Sequence, residues 1–204
     1  MEVIKFGGSS LCNSSTIRRV GEILISRRKK KKILVLSAMG GITNKLISLG
    51  ELACSGNPEY KSVYQDLRDR HLKSLIELVS SKDVTEVERE MKGLLDELEE
   101  LCYGIYLLRE LSDRSRDELI SFGERLSIVL VSFSLQEMKN KSIPLSGKDA
   151  GIVTDSNFGD SRPLMDTTRI RVSKTINEYL AKNTIPVIAG FAGADQHDHT
   201  TTFG

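Results

Sequence analysis

Short apolar runs and longer amphipathic stretches alternate along the chain, and each change of period predicts an element. Val3-Ile4 opens as a strand. Past a glycine turn, Ile17, Val20, Gly21 and Leu24 recur at i, i+3, i+4 and i+7, so a helix begins near Asn13 to Ser15 and turns Arg18, Arg19 and Glu22 to water. Ile33-Leu34-Val35-Leu36 is a continuous apolar run of the kind buried on both faces of a parallel sheet. Strand, helix, strand makes a βαβ unit. A helix carrying Leu46, Ile47, Gly50 and Ala53 follows, and Gly56-Asn57-Pro58 breaks it. From about Tyr60 to Leu111 apolar residues step by threes and fours, first through Leu67, Leu72, Leu75, Ile76 and Val79, then from Val84 to Leu111, with Ser80-Ser81-Lys82-Asp83 between. This pattern predicts an antiparallel helical hairpin, an insertion over residues 60–112 that would act as a lid, a dimer surface or a long crossover. His71 lies among charged residues and is expected to face solvent.

The second half continues the alternation. Ser115-Arg116-Asp117 is expected to precede a helix from Glu118 to Lys139, followed by a strand around Ile143 to Leu145. Thr154 to Pro163 reads as a polar, turn-rich loop outside the core. Arg171 to Lys182 reads as a helix with Val172, Ile176, Tyr179 and Leu180 inward, and Ile185-Pro186-Val187-Ile188-Ala189 as another buried strand. Strands alternating with helices define an α/β fold with a mainly parallel sheet.

Composition narrows the class. With 204 residues, 39% apolar and 28% charged, the chain is long enough for one large domain, and no repeat or low-complexity linker divides it. Twenty-nine basic residues against twenty-eight acidic ones leave no whole-molecule field for nucleic acid or an anionic membrane, so anion binding must be local. Three widely spaced cysteines, Cys12, Cys54 and Cys102, form no paired zinc or redox motif, and no signal peptide or membrane-length apolar run is visible. These features point to the cytoplasm. The block Arg27 to Lys32 has no interleaved aromatics to stack bases, and is read as cations gathered at a helix C-terminus. His197 and His199 are too few ligands for a metal site.

The candidate chemistry sits in the glycine turns. Lys5-Phe6-Gly7-Gly8-Ser9-Ser10 lies between a strand and a helix, the order a phosphate cradle needs, although a plain turn with a surface lysine would look the same. Adjacent glycines let backbone N-H groups approach an anion, Lys5 adds a full charge, and the Ser9 and Ser10 hydroxyls can donate. The lysine precedes the glycines, so this is not a Walker loop. A second turn, Ser37 to Asn44, closes the next strand at the edge where open α/β sheets bind ligands. Ser37 and Thr43 suit a carboxylate or phosphate there, and Thr43 would also suit a helix cap. Glu124, after a glycine and between apolar neighbours, would hold a substrate ammonium or pair with an arginine.

Six stretches, KFGGSS at 5–10, LSAMGGITN at 36–44, SRD at 115–117 with SFGERLS at 121–127, TDSNFG at 154–159, IPVIAGFAG at 185–193 and TTTFG at 200–204, together resemble the amino acid kinase family, in its aspartate kinase branch. The resemblance runs end to end. It implies a three-layer sandwich and transfer of the γ-phosphoryl group of MgATP, with Mg2+ carried by the nucleotide, to the side-chain carboxylate of L-aspartate. The product would be 4-phospho-L-aspartate, the first step towards lysine, threonine and methionine. Lys5 would be catalytic and, with Gly7, Gly8 and Ser10, would bind the ATP phosphates. Ser37, Thr43, Glu124 and Phe191 would bind aspartate. Asp155 and Phe158 carry no firm role. A homodimer is allowed, and no nucleic acid or membrane partner is implied.

Two departures stand out. The family's TTFG runs on into Arg-Gly-Gly-Ser-Asp, whose arginine binds aspartate and whose aspartate organises catalysis, then into an ATP subdomain and regulatory ACT domains. The sequence stops at Gly204, so the fold is expected to be incomplete at the C-terminus and the chain by itself inactive. Asp198 stands where the family's hairpin usually has glycine. The alternatives are a non-catalytic phosphate-binding or dimerisation lobe, and a kinase for another amino acid.

Overall fold

The computed structural model describes residues 1–28, 31–78 and 85–203. The continuous apolar runs form parallel strands: β1 (Glu2–Phe6), β2 (Lys32–Leu36), β3 (Ser142–Leu145) and β4 (Ile185–Ala189). Their order in the sheet is β1-β2-β4-β3, so the last of the four in sequence sits between two earlier ones. Ile4 is in register with Leu34, Leu34 with Val187, and Pro144 with Val187. Pro186, which has no N-H to donate, pairs with Ile143 and lies just before β4 begins pairing with β2.

Alternation along the strands feeds two cores. Ile4, Leu34, Leu36, Val187 and Ala189 point into a large core shared with α1 (Ser14–Ser26), α2 (Ile42–Ser55), α3 (Tyr60–Leu78), α4 (Thr85–Leu108) and α5 (Asp113–Glu137). Ile33, Leu145 and Ile188 point the other way, onto Ala150 of α6 (Gly147–Ala150) and Ile176 and Leu180 of α7 (Met165–Ala181). Helices thus cover both faces, the three-layer α/β arrangement expected from the family resemblance. A separate hairpin, β5 (Ala192–Ala194) with β6 (Thr200–Thr202), follows β4.

The helix α1 begins where the pattern places it, with Asn13 as cap: its side chain accepts from Thr16 N, while Thr16 Oγ1 accepts from Asn13 N. The two long helices α3 and α4 run antiparallel, since the Tyr60 and Tyr106 rings lie 5.0 Å apart while Tyr64 Oη donates to Leu95 O and Arg68 pairs with Asp96. The expected break at Ser80 to Asp83 lies outside the described residues, as do Val79, Val84, Lys29, Lys30 and Gly204.

Four expectations are corrected. His71 does not face solvent: it is fully buried, on the α3 face shared with Leu67, Ser74, Leu75 and Leu78, and its Nδ1 lies 2.8 Å from Leu67 O. Ser115-Arg116-Asp117 does not precede the helix but lies in the first turns of α5, because Ser112 caps it by accepting from Ser115 N. The helix α7 starts six residues before Arg171, at Met165. The 154–163 loop is not wholly outside the core, since Thr154 and Ser161 are buried, Thr154 Oγ1 bonding Thr201 and Ser161 Oγ donating to Thr202 O.

Candidate active site

Parallel strands end at one edge, so Phe6, Leu36 and Ala189 bring three turns together. The first is Gly7-Gly8, which leads through a 3-10 turn (Gly8–Leu11) into α1; Ser10 N donates to Gly7 O. The second is Gly40-Gly41, and the third begins at Gly190, whose N-H donates to Leu36 O. The first two interlock. A Cβ at Gly8 would lie 2.9 Å from Ala38 O, and one at Gly40 would lie 3.1 Å from Gly8 O, so glycine is required for the backbones to meet. Gly7, by contrast, has open space around it, leaving its backbone accessible from the strand-end side.

Thr43 does not cap α2. That place belongs to Gly41, in the left-handed region at φ 81°, which leaves the Thr43 hydroxyl in the first turn of the helix without a capping role. Ser37 is joined to the first strand end through its N-H, which donates to Phe6 O. Lys5, Ser10, Ser37 and Thr43 therefore lie on neighbouring strand ends and the turns that follow them.

The helix α5 delivers the remaining group. Gly123 lets it approach closely, since a Cβ there would sit 2.9 Å from Ala38 Cβ and 3.2 Å from Leu46 Cδ1. The next residue, Glu124, is only 6% exposed, and its Oε2 accepts from Phe191 N at 2.8 Å. Burial pushes its carboxyl up to about 7, against the Phe191 and Gly190 amides and the Lys5 charge, which pull it down. The arginine pairing that Glu124 shares as an alternative does not occur. Its neighbour Arg125 binds Glu97 and Glu118 instead. A buried carboxylate with an amide on one oxygen and no ion-pair partner among the described residues is suited to receive a small cation.

Phe191 is 38% exposed and stacks edge-on with Phe203, while Phe203 N donates to Phe191 O. The eight predicted site residues thus lie on strand ends, the turns that follow them, the first turn of α2, or α5. A cavity of about 440 Å3 lined by Ser121, Arg125, Pro144 and Gly193 lies between α5 and the hairpin, but none of the eight residues lines it. The eight residues gather instead at the open strand ends, around Lys5 and the glycine backbones.

Two buried carboxylates hold the surroundings in place, and neither was assigned a role from sequence. Asp117 is fully buried and accepts from Gly159 N, Thr202 N and Thr202 Oγ1, tying α5 to the 154–163 loop and to β6. Asp195 accepts from Ser156 Oγ and the His197 and His199 amides, with His199 Nδ1 at 3.2 Å. Burial raises its carboxyl, but the His199 amide, Ser156 and the other donors outweigh it and hold the group at about 2. His197 and His199 therefore serve the turn around Asp195. Asp198, where glycine was expected, adopts φ 69°, a left-handed conformation that explains the glycine preference there.

The fold is an α/β protein with a mainly parallel sheet and glycine turns gathered at one of its edges. Residues 1–204 match the amino acid kinase family, and the chain belongs to that family. It is 32% identical over 195 residues to Aspartokinase 2, chloroplastic, of Arabidopsis thaliana, covering 94% of this chain and 35% of that protein. It is 40% identical over 115 residues to the aspartokinase of Helicobacter pylori, 56% of this chain and 26% of that one. Among solved structures it is similar to E. coli aspartokinase III in complex with aspartate and ADP (R-state), with a TM-score of 0.88, 26% identity, and coverage of 99% of this chain and 43% of that one. The chain spans about a third of the Arabidopsis relative's length.

Proposed function

We propose that this chain forms the N-terminal part of an aspartate kinase catalytic unit, which transfers the γ-phosphoryl group of ATP to the side-chain carboxylate of L-aspartate. The observation that carries the reading is Glu124: a buried carboxylate, free of any arginine, held by Phe191 N-H beside the Gly7-Gly8 turn. In this reading the ammonium of aspartate binds Glu124, Ser37 and Thr43 hold its carboxylates, and Phe191 walls the site. Gly7, Gly8 and Ser10 present donors to the ATP phosphates, and Lys5 sits at the transferring group. A carboxylate oxygen of aspartate attacks the γ-phosphorus, the bond to the β-phosphate oxygen breaks, and ADP and an acyl phosphate leave. No proton transfer to the protein is needed, so the chain's part is alignment of two anions and neutralisation of charge. In this reading Mg2+ would arrive on the nucleotide and shield its phosphates. An acyl phosphate suits the first step of lysine, threonine and methionine synthesis, and a cytoplasmic setting suits that role. No helix among the described residues is long and apolar enough to cross a membrane.

The relatives extend well beyond the length covered here, and the reading assigns the adenine pocket and regulatory domains to such further sequence. The test is ATP-dependent hydroxamate formation by the full-length protein with aspartate, glutamate or N-acetylglutamate as acceptor. Aspartate alone should react, and Lys5→Ala should abolish turnover without loss of the folded state. Reaction with glutamate in preference, or an active Lys5→Ala protein, would overturn the assignment.

A further inference from the structure

The opposite, amino-terminal edge of the sheet carries a second cluster that the proposed reaction does not use. Lys31 and Lys32 enter β2, Lys139 and Lys141 lead into β3, and Lys182 and Asn183 lead into β4. These six residues, distant in sequence, line one cavity of about 430 Å3. Strands of about five residues put it roughly 15 Å or more from the glycine turns.

Lysines at helix ends are often simply dipole partners, and two here behave so. Lys32 Nζ donates to Leu24 O in the last turn of α1, and Lys182 pairs with Glu178. The other three do not. Lys31, Lys139 and Lys141 have no ion pair or side-chain hydrogen bond among the described residues. The ends of α1, α5 and α7 contribute about half a negative charge each. With Glu178 also counted, the five lysines still leave a surplus of about two and a half positive charges. Lys139 supplies an independent sign. It sits at φ 62°, in the left-handed position after α5 where glycine is favoured, with Asn140 N donating to Leu135 O around it. A lysine there strains the backbone and adds charge to an already repulsive cluster.

We propose that this pocket binds a small polyphosphate group, either inorganic or carried by a nucleotide, at a site separate from the glycine turns. Lys31, Lys139 and Lys141 supply the free ammonium donors, and Asn183 an amide. The volume suits a ligand of that size and is too small to hold a nucleic-acid duplex.

The test is calorimetric titration of the full-length protein with tripolyphosphate, ATP and a duplex oligonucleotide at low salt. Tripolyphosphate should fill a class of sites that Lys5→Ala retains and Lys139→Gly/Lys141→Ala weakens by about tenfold or more. Lys139→Gly by itself should raise the melting temperature, so the loss cannot be ascribed to unfolding. Tighter ATP than tripolyphosphate binding at this class would identify the nucleotide as the source, and the reverse order the inorganic chain. Unchanged tripolyphosphate binding in the double variant would overturn the proposal, as would an oligonucleotide that binds more tightly than tripolyphosphate and is lost in the same variant.

Discussion

Replacing Glu124 with glutamine is expected to stabilise the protein and disable it together. Its carboxyl titrates near 4.5 when unperturbed but is pushed to about 7 in the folded protein, chiefly by burial. The folded state therefore holds a proton that the unfolded chain has already released. Stability from this group is fully present below about 4.5 and is lost as pH rises through 7. The interval corresponds to about 3 kcal/mol, at roughly 1.4 kcal/mol for each pKa unit. Glutamine keeps an oxygen for Phe191 N-H but carries no charge, so Glu124→Gln escapes this loss. Urea denaturation followed by circular dichroism should show the variant gaining on the wild type by about 3 kcal/mol between pH 4.5 and 8. In the full-length enzyme the same change should raise the KM for aspartate by about a hundredfold, because the ammonium loses its charged partner. A stability difference that stays constant across this pH range, or an unchanged KM, would refute the reasoning.

Three further outcomes are expected. Burial pulls His71 down to about 4, so as pH falls from 6.5 towards 4 unfolding takes up a proton and the fold loses up to about 3 kcal/mol. This opposes the Glu124 effect over an overlapping range, so wild-type stability should be nearly flat from pH 4.5 to 6.5, while in Glu124→Gln it should climb, as pH-resolved denaturation will show. Asp117→Ala strands Gly159 N, Thr202 N and Thr202 Oγ1, and should cost about 3–5 kcal/mol, read as a lower denaturation midpoint, with faster amide exchange in β6. Gly8→Ala forces a Cβ against Ala38 O and should raise the KM for ATP in the full-length enzyme while leaving far-ultraviolet circular dichroism unchanged.

The strands and glycine turns were legible because their signals are local: continuous apolar runs, and turns whose residues must be glycine. The true start of α5 was not, because Ser112 to Asp117 is polar and the period alone does not mark it; the cap at Ser112 does. Nor is α5 amphipathic in the ordinary way. It is buried from the sheet on one side and the other helices behind, and its buried serines find partners, Ser127 Oγ donating to Gly123 O one turn back and Ser132 Oγ to Ser142 Oγ on β3. His71 was misplaced because its immediate neighbours are charged, whereas its helical neighbours Leu67, Ser74, Leu75 and Leu78 set its environment. Asp117 and Thr154 depend on Thr202 and Thr201, partners 85 and 47 residues away, which no local pattern reveals.

The position of β4 between β2 and β3 also governs how the chain can be made. During synthesis β2 emerges with its partner β1 at once, but its other edge has no partner until Val187 appears. The strand β3 has none until Ile185 to Ile188 arrive. The open edge of β2 therefore waits from Leu36 to Val187, joined by β3 from Leu145 onward, and closing the sheet means threading a late strand between them. Such long-range parallel pairing is slow and exposed to misassembly. The nascent protein should depend on a holding chaperone until residue 189 has cleared the ribosome, and ribosome-bound chains shorter than that should remain protease-sensitive.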